Sequence, residues 1–244
     1  MKTRLDLAIV QRGLAQTRQR AGSLIMAGKV LVNNRKIDKP GTRVRTKDKI
    51  ILKGDIPYVS RGGLKLEAGL DAFDIDVSDF VCLDAGASTG GFTDCLLQHG
   101  AASVFAVDVG YGQLAWNLRQ DPRVVVIERT NIRYMPLTLI SAPVDLITID
   151  VSFISLKIVV TACVRFLKKY GKILALIKPQ FEVGKGKVGK RGVVRDPMLH
   201  NEVIHDLESF FSEINLESHG VITSPLQGRK GNKEFLICLK ERTF

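Results

Sequence analysis

From residue 80 onward the chain repeats one unit: a short apolar run, then a stretch with helical periodicity. The runs read "FVCLDAG", "SVFAVDVG", "RVVVIER", "VDLITID" and "GKILALIK". Between them lie helix-like "GGFTDCLLQHG", "GQLAWNLRQD" and "LKIVVTACVRFLKKYG", with a short connection "NIRYMPL" after the third run. The helix "MLHNEVIHDLESFFSEI" and two more strands, "LESHGVIT" and "EFLICLK", follow. Short apolar strands separated by amphipathic helices can be buried only as a parallel sheet covered by helices on both faces. The spacing therefore predicts an α/β fold with a doubly wound sheet. None of the apolar runs is long enough to span a bilayer. The start, "MKTRLDLAIV", lacks the uninterrupted apolar stretch of a signal peptide, so the expected compartment is the cytoplasm. Cys82, Cys95, Cys163 and Cys238 are widely spaced and form no C-x-x-C pair, which predicts buried thiols and no metal site.

The first quarter of the chain is built differently. Residues 1–60 hold 14 Lys and Arg against 4 Asp and Glu, whereas the whole chain has 36 against 25. Nearly all of the positive excess therefore sits in one module, as a polyanion-binding arm requires. Two short helices are expected there, over 4–13 and from a cap at Thr17 to a stop at Gly28. A hairpin "KVLVNNRKI" follows, turning at Asn33-Asn34, and "GTRVRTKDKIILKG" closes the module. The boundary is placed near residues 54–60, giving domains 1–56 and 57–244. Candidate polyanion contacts in the module are Arg4, Arg18, Arg20, Lys29, Arg35 and Lys36. Arg61 lies just beyond it, and Lys185, Lys187, Lys190 and Arg191 stand in the loop "EVGKGKVGKRGVVRDP". The competing reading of all of these is a solvated basic surface.

In a doubly wound sheet ligands bind beyond the carboxyl ends of the strands. The first strand ends "LDAGASTGGFTD", where Asp84, Gly86, Ser88, Thr89, Gly90, Gly91 and Phe92 are the cofactor candidates. The spacing G-x-x-x-G-G departs from the G-x-G-x-x-G of dinucleotide folds, which disfavours a dehydrogenase. An acidic residue before the first glycine would repel a pyrophosphate but suits a cationic, amino-acid-bearing cofactor. The second strand ends at Asp108, where a carboxylate can accept both hydroxyls of a ribose. The pair points to S-adenosylmethionine. Asn131 either addresses the adenine edge or forms a turn. The fourth and fifth strands end at Asp150 and Lys178, and Pro179 biases Lys178 towards extended geometry. Alone, that lysine reads as a snorkelling side chain paired with Asp150.

Residues 2–53, through "TRQRAGSLIMAGKVLVNN" and "GTRV…KDKI", resemble the α-L RNA-binding module named after a small-subunit ribosomal protein. Lys65, Asp150, Lys178 and Glu234 resemble, in order and placement, the catalytic tetrad of the FtsJ-like ribose 2′-O-methyltransferases. "YVSRGGLKL", "LDAGASTGGFTDCLL", "VDVGYGQL", "DVSFISL", "IKPQFE" and "SPLQGRKGNKEFL" extend the resemblance over essentially the whole chain, to the TlyA (haemolysin A-like) family. It implies a Rossmann-like methyltransferase sheet behind a small α+β RNA-binding domain. The implied activity is S-adenosylmethionine-dependent 2′-O-methylation of cytidine in ribosomal RNA, without a metal. Lys178 would be the base, oriented by Asp150, while Lys65 and Glu234 position the hydroxyl. A second ammonium nearby, with burial, would depress the pKa of such a lysine by up to ~3–5 units. The module starts close to Met1, and by family analogy a short form acts on large-subunit RNA alone. A membrane-lysing protein and an RNA-binding protein without catalysis are the alternatives.

Overall fold

A computed structural model describes residues 2–15, 17–33, 35–52, 57–184, 186–189, 192–228 and 230–242. The chain divides into two compact units, 1–56 and 57–244.

In the first unit β1 (Lys2–Arg4) runs into α1 (Leu5–Gln11). α2 (Arg18–Met26) starts at Thr17, whose Oγ1 accepts the Arg20 N–H at 3.2 Å. Such a cap is worth about 1 kcal/mol and sets where the helix begins. β2 (Val30–Val32) pairs antiparallel with β3 (Arg35–Ile37) and β5 (Ile50–Leu52). Asn33 takes the turn at φ +50, and Asn34 lies outside the described residues. β1 also pairs antiparallel with β4 (Arg43–Arg45), a ladder of three residues that is too short to show a period in sequence. Leu5, Ile9, Ala21, Ile25 and Val30 are fully buried in this unit's core.

The second unit contains α3 (Gly62–Ala72), β6 (Val81–Ala85), α4 (Gly91–Gln98), β7 (Ser103–Val107), α5 (Trp116–Arg119) and β8 (Val124–Ile127). Then come β9 (Val144–Ile149), α6 (Leu156–Cys163), β10 (Leu167–Ile177), α7 (Pro179–Glu182), α8 (Pro197–Glu213), β11 (Leu216–Thr223) and β12 (Phe235–Glu241). The seven-stranded sheet has the order β11-β12-β10-β9-β6-β7-β8. β6 to β10 are parallel, as their apolar runs require, and Leu83, Ile147, Ile149, Ile173 and Ala175 are fully buried. β12 runs antiparallel between β10 and β11, with Phe235 opposite Ile177. Its first residues therefore lie at the rim where the parallel strands end. That brings Glu234 to the end of β10.

Two elements differ from the sequence expectation. The helix expected over 112–121 is only the four-residue α5, because the stretch before it, with Gly112 at φ +70, stays a loop. The helix expected over 156–171 ends at Cys163, and β10 begins already at Leu167. An irregularity between Leu167 and Lys172, with Tyr170 at φ +68, hides the strand alternation there.

Candidate active site

Beyond the carboxyl ends of β6, β9 and β10 lies a cavity of about 790 Å³, lined by Lys65, Asp150, Lys178 and Glu234 among others. That is the size range of small-molecule sites. Lys178 leaves β10 in extended geometry (φ −118, ψ 95), and Pro179 follows as the first residue of α7. Lys178 Nζ lies 2.5 Å from Asp150 Oδ1 and donates to Ser152 Oγ at 3.0 Å. Distance and direction disagree at the first of these, since the enclosed Asp150 Oδ1 receives no hydrogen bond of normal angle. We read it as a charge contact, with the directed bond going to Ser152.

Lys65 arrives from another element. A Cβ on Gly91 would come 3.0 Å from Gly63 N and 3.2 Å from Gly62 Cα, so bare glycines let α3 lie against the start of α4. Gly62-Gly63 is thus a packing contact and the first turn of α3. It sets Lys65 Nζ 2.5 Å from Glu234 Oε2, with side chains 11% and 3% exposed. Removing one partner of such a buried pair typically costs about 3–5 kcal/mol, because the other charge is left uncompensated. The expectation paired Lys178 with Asp150 and set a second ammonium nearby; the charge contacts found are Lys178 with Asp150 and Lys65 with Glu234.

Between the two pairs runs the glycine turn. Gly86 sits at φ +88, where a Cβ would stand 2.6 Å from the Asp150 carbonyl oxygen. Gly86, Ser88, Thr89, Gly91 and Phe92 line the cavity. Gly90, at φ +92, instead makes room for Leu114 and Leu118 beside α5. Asp84 is also displaced from the expected role, being wholly buried beneath the turn. Its Oδ2 accepts the Thr93 N–H at 3.0 Å and the Thr93 hydroxyl at 2.7 Å, and its Oδ1 accepts the Thr148 hydroxyl at 3.2 Å. Burial pushes this carboxyl up to about 7, against the pull of those hydrogen bonds. Asp84 therefore anchors α4 to β9 and does not line the cavity. Asp108 braces the turn by accepting the Ser88 N–H at 2.8 Å and the Gly110 N–H at 2.7 Å. Asn131 caps a short 3₁₀ turn, accepting the Arg133 N–H at 3.1 Å, which is the turn-former reading.

The FtsJ-like methyltransferase model matches residues 58–241, and the S4 domain model matches residues 3–50. The chain belongs to the FtsJ-like methyltransferase family. It is 48% identical over 244 residues to the 16S/23S rRNA (cytidine-2′-O)-methyltransferase TlyA of Mycobacterium tuberculosis, covering 99% of this chain and 91% of that one. It is 39% identical to hemolysin A of Brachyspira hyodysenteriae, covering 96% and 98%. A solved structure described as a hemolysin from Streptococcus thermophilus superimposes with a TM-score of 0.78 at 43% identity, covering 98% of this chain and 88% of that one.

This FtsJ-like methyltransferase carries cavity residues that sequence reasoning did not single out. Ser152, Phe153, Gln180, Phe181 and Asn232 all line the cavity, within segments quoted above only for their resemblance. Phe153 sits at φ +64, is 88% exposed and meets the Phe181 ring at 4.9 Å between centroids. No local signal marks a phenylalanine for that conformation. The basic candidates divide. Arg4 and Arg18 both donate to the buried Asp6 at 2.9 Å; the Arg4 bond most of all holds its carboxyl well below the usual range. Arg20, Arg35 and Lys36 are exposed and Lys29 is half-buried. Arg61 lines the cavity, while Lys187 pairs with Glu202. Lys185, Lys190 and Arg191 lie outside the described residues. Among the described residues no helix is long and apolar enough to cross a membrane, and no three His, Cys, Asp or Glu side chains group as a metal site would need.

Proposed function

We propose that this chain methylates the 2′-hydroxyl of cytidine in ribosomal RNA, with S-adenosylmethionine as methyl donor, and does so in the cytoplasm. What carries the reading is the meeting of two lysine–carboxylate pairs in one cavity against a glycine turn whose Cβ positions have no room. The turn suits the donor: the backbone of Gly86 to Thr89 is open to the cavity, and Asp108 is fixed beside it with lone pairs to spare for ribose hydroxyls. When bound, the donor supplies a methyl carbon made electrophilic by its sulfonium.

The protein's task is to hold a weak nucleophile in line and take one proton from it. Lys178 Nζ would take the proton of the ribose hydroxyl, while the donor, when bound, would supply the methyl group to that oxygen and leave as a neutral thioether. Asp150 and Ser152 fix where Nζ points. Lys65 donates to the ribose oxygen, and Glu234 keeps its ammonium in place. Proton removal of this kind contributes roughly 10²–10⁴-fold, and alignment supplies much of the rest. The basic first unit holds RNA phosphates.

The test incubates the protein with labelled S-adenosylmethionine and each ribosomal RNA, naked and assembled into subunits, then maps the methylated ribose. Lys178→Ala should bind cofactor and RNA within a few-fold of wild type while transfer falls at least ~100-fold. Transfer at the wild-type rate by that variant would remove Lys178 from the mechanism.

A further inference from the structure

The segment "IKPQFE" ends on an acid that the methyl-transfer reading does not use. Glu182 closes α7, four residues after Lys178. Its Oε2 accepts the Ser155 hydroxyl at 2.7 Å, and its Oε1 accepts the Leu156 N–H at 2.9 Å. Ser155 ends the loop that begins at Asp150, and Leu156 opens α6. Two segments thus leave the cavity side by side, one from Asp150 to Ser155 and one from Lys178 to Glu182. They touch at three places: Asp150 with Lys178 at the near end, Phe153 with Phe181 midway, and Ser155 with Glu182 at the far end. The result is a closed frame with the Lys178 ammonium at one corner.

We infer that Glu182 is a positioning residue, which by joining the far ends of these two segments fixes the direction from which Lys178 Nζ reaches its target. Capping α6 accounts for only one of its two bonds: Oε1 takes the Leu156 N–H, which Ser155, accepting the Lys157 N–H at 3.2 Å, leaves free, whereas the bond from the Ser155 hydroxyl to Oε2 ties the two segments together. A carboxylate placed there is costly: burial raises its pKa, against the hydrogen bonds from Ser155 and Leu156. The frame also holds Phe153 at φ +64, a conformation that a bulky side chain keeps only when its surroundings enforce it.

The inference rests on the methyl-transfer reading for its kinetic consequence, and its test separates the two. Glu182→Gln keeps an oxygen for the Leu156 N–H but puts an amide donor where the Ser155 hydroxyl needs an acceptor. Ser155→Ala deletes the same bond from the other side. Both should lower kcat by about 10- to 100-fold, the cost of a small misplacement of reacting groups. KM for RNA and cofactor affinity should stay close to wild type in both, and so should the Tm of Glu182→Gln, whereas Ser155→Ala also loses the α6 cap, about 1 kcal/mol. Unchanged kcat, or kcat, affinities and Tm falling together in Glu182→Gln, would overturn the inference. In the protein without RNA, amide exchange over residues 151–156 should quicken at least about tenfold in Glu182→Gln and stay constant in β6 and β7. Unaltered exchange would also overturn it. A wild type inactive on every ribosomal RNA would end the methyl-transfer reading, while faster exchange in the variant would still support the frame.

Discussion

At Asp84 a carboxylate has left water entirely and received three hydrogen bonds in exchange. Its folded pKa, about 7, lies above the ordinary value of 3.8. The fold therefore favours the protonated form, and the stability this provides is present below about pH 4 and lost as pH rises to about 7. Asp84→Asn keeps an acceptor for the Thr93 N–H and removes the charge. Thermal melts across this range should show the variant gaining on wild type as pH rises, by on the order of a few kcal/mol. A constant gap in Tm would refute the assignment. The same residue marks a limit of sequence reading. An acid at a strand end can face the ligand above or the helix start below, and its neighbours in the chain do not say which. Lys178 was no easier taken alone, since it reads as a snorkelling lysine paired with Asp150; its company with Lys65, Asp150 and Glu234 is what raised it to a candidate base.

At the scale of elements, the glycine turn joining β6 to α4 is held open by what it lacks. Gly86→Ala would put a methyl group 2.6 Å from the Asp150 carbonyl at a backbone angle that alanine resists. We expect a stability loss of roughly 1–3 kcal/mol and cofactor binding weakened at least tenfold by calorimetry. Binding at the wild-type level would show that the donor lies elsewhere. Elements buried on both faces were legible because nothing but an apolar run can occupy them, as in β6, β9 and the second half of β10. The first half of β10 was not, since Lys168, Lys169 and Tyr170 are exposed around an irregular turn and read as the end of a helix. The pairing of β1 with β4 was equally hidden, its partners being some forty residues apart.

At the scale of the whole molecule, charge and chemistry are divided between the two units. The basic excess falls within residues 1–60, whereas the cavity is lined only by residues from Ser60 onward. A protein comprising residues 57–244 should therefore bind S-adenosylmethionine about as tightly as the full chain. Its RNA affinity should be lower, and the slope of log affinity against log salt shallower by about one for each phosphate no longer neutralised. Equal slopes for the two proteins would mean that the first unit does not hold the phosphates. The charge excess was legible from composition alone. The convergence of Lys65 and Glu234 was legible only through the family resemblance, because it depends on a glycine contact between two helices and on one strand running against its neighbours. The five parallel strands β6 to β10 all end on the same side. Every cavity group stands on one rim, so the turns leading into β6, β7 and β9 at the opposite rim contribute nothing to it. Those turns are the natural places for a dye, a surface tether or an inserted peptide, where such a handle could report on the working protein without disturbing it.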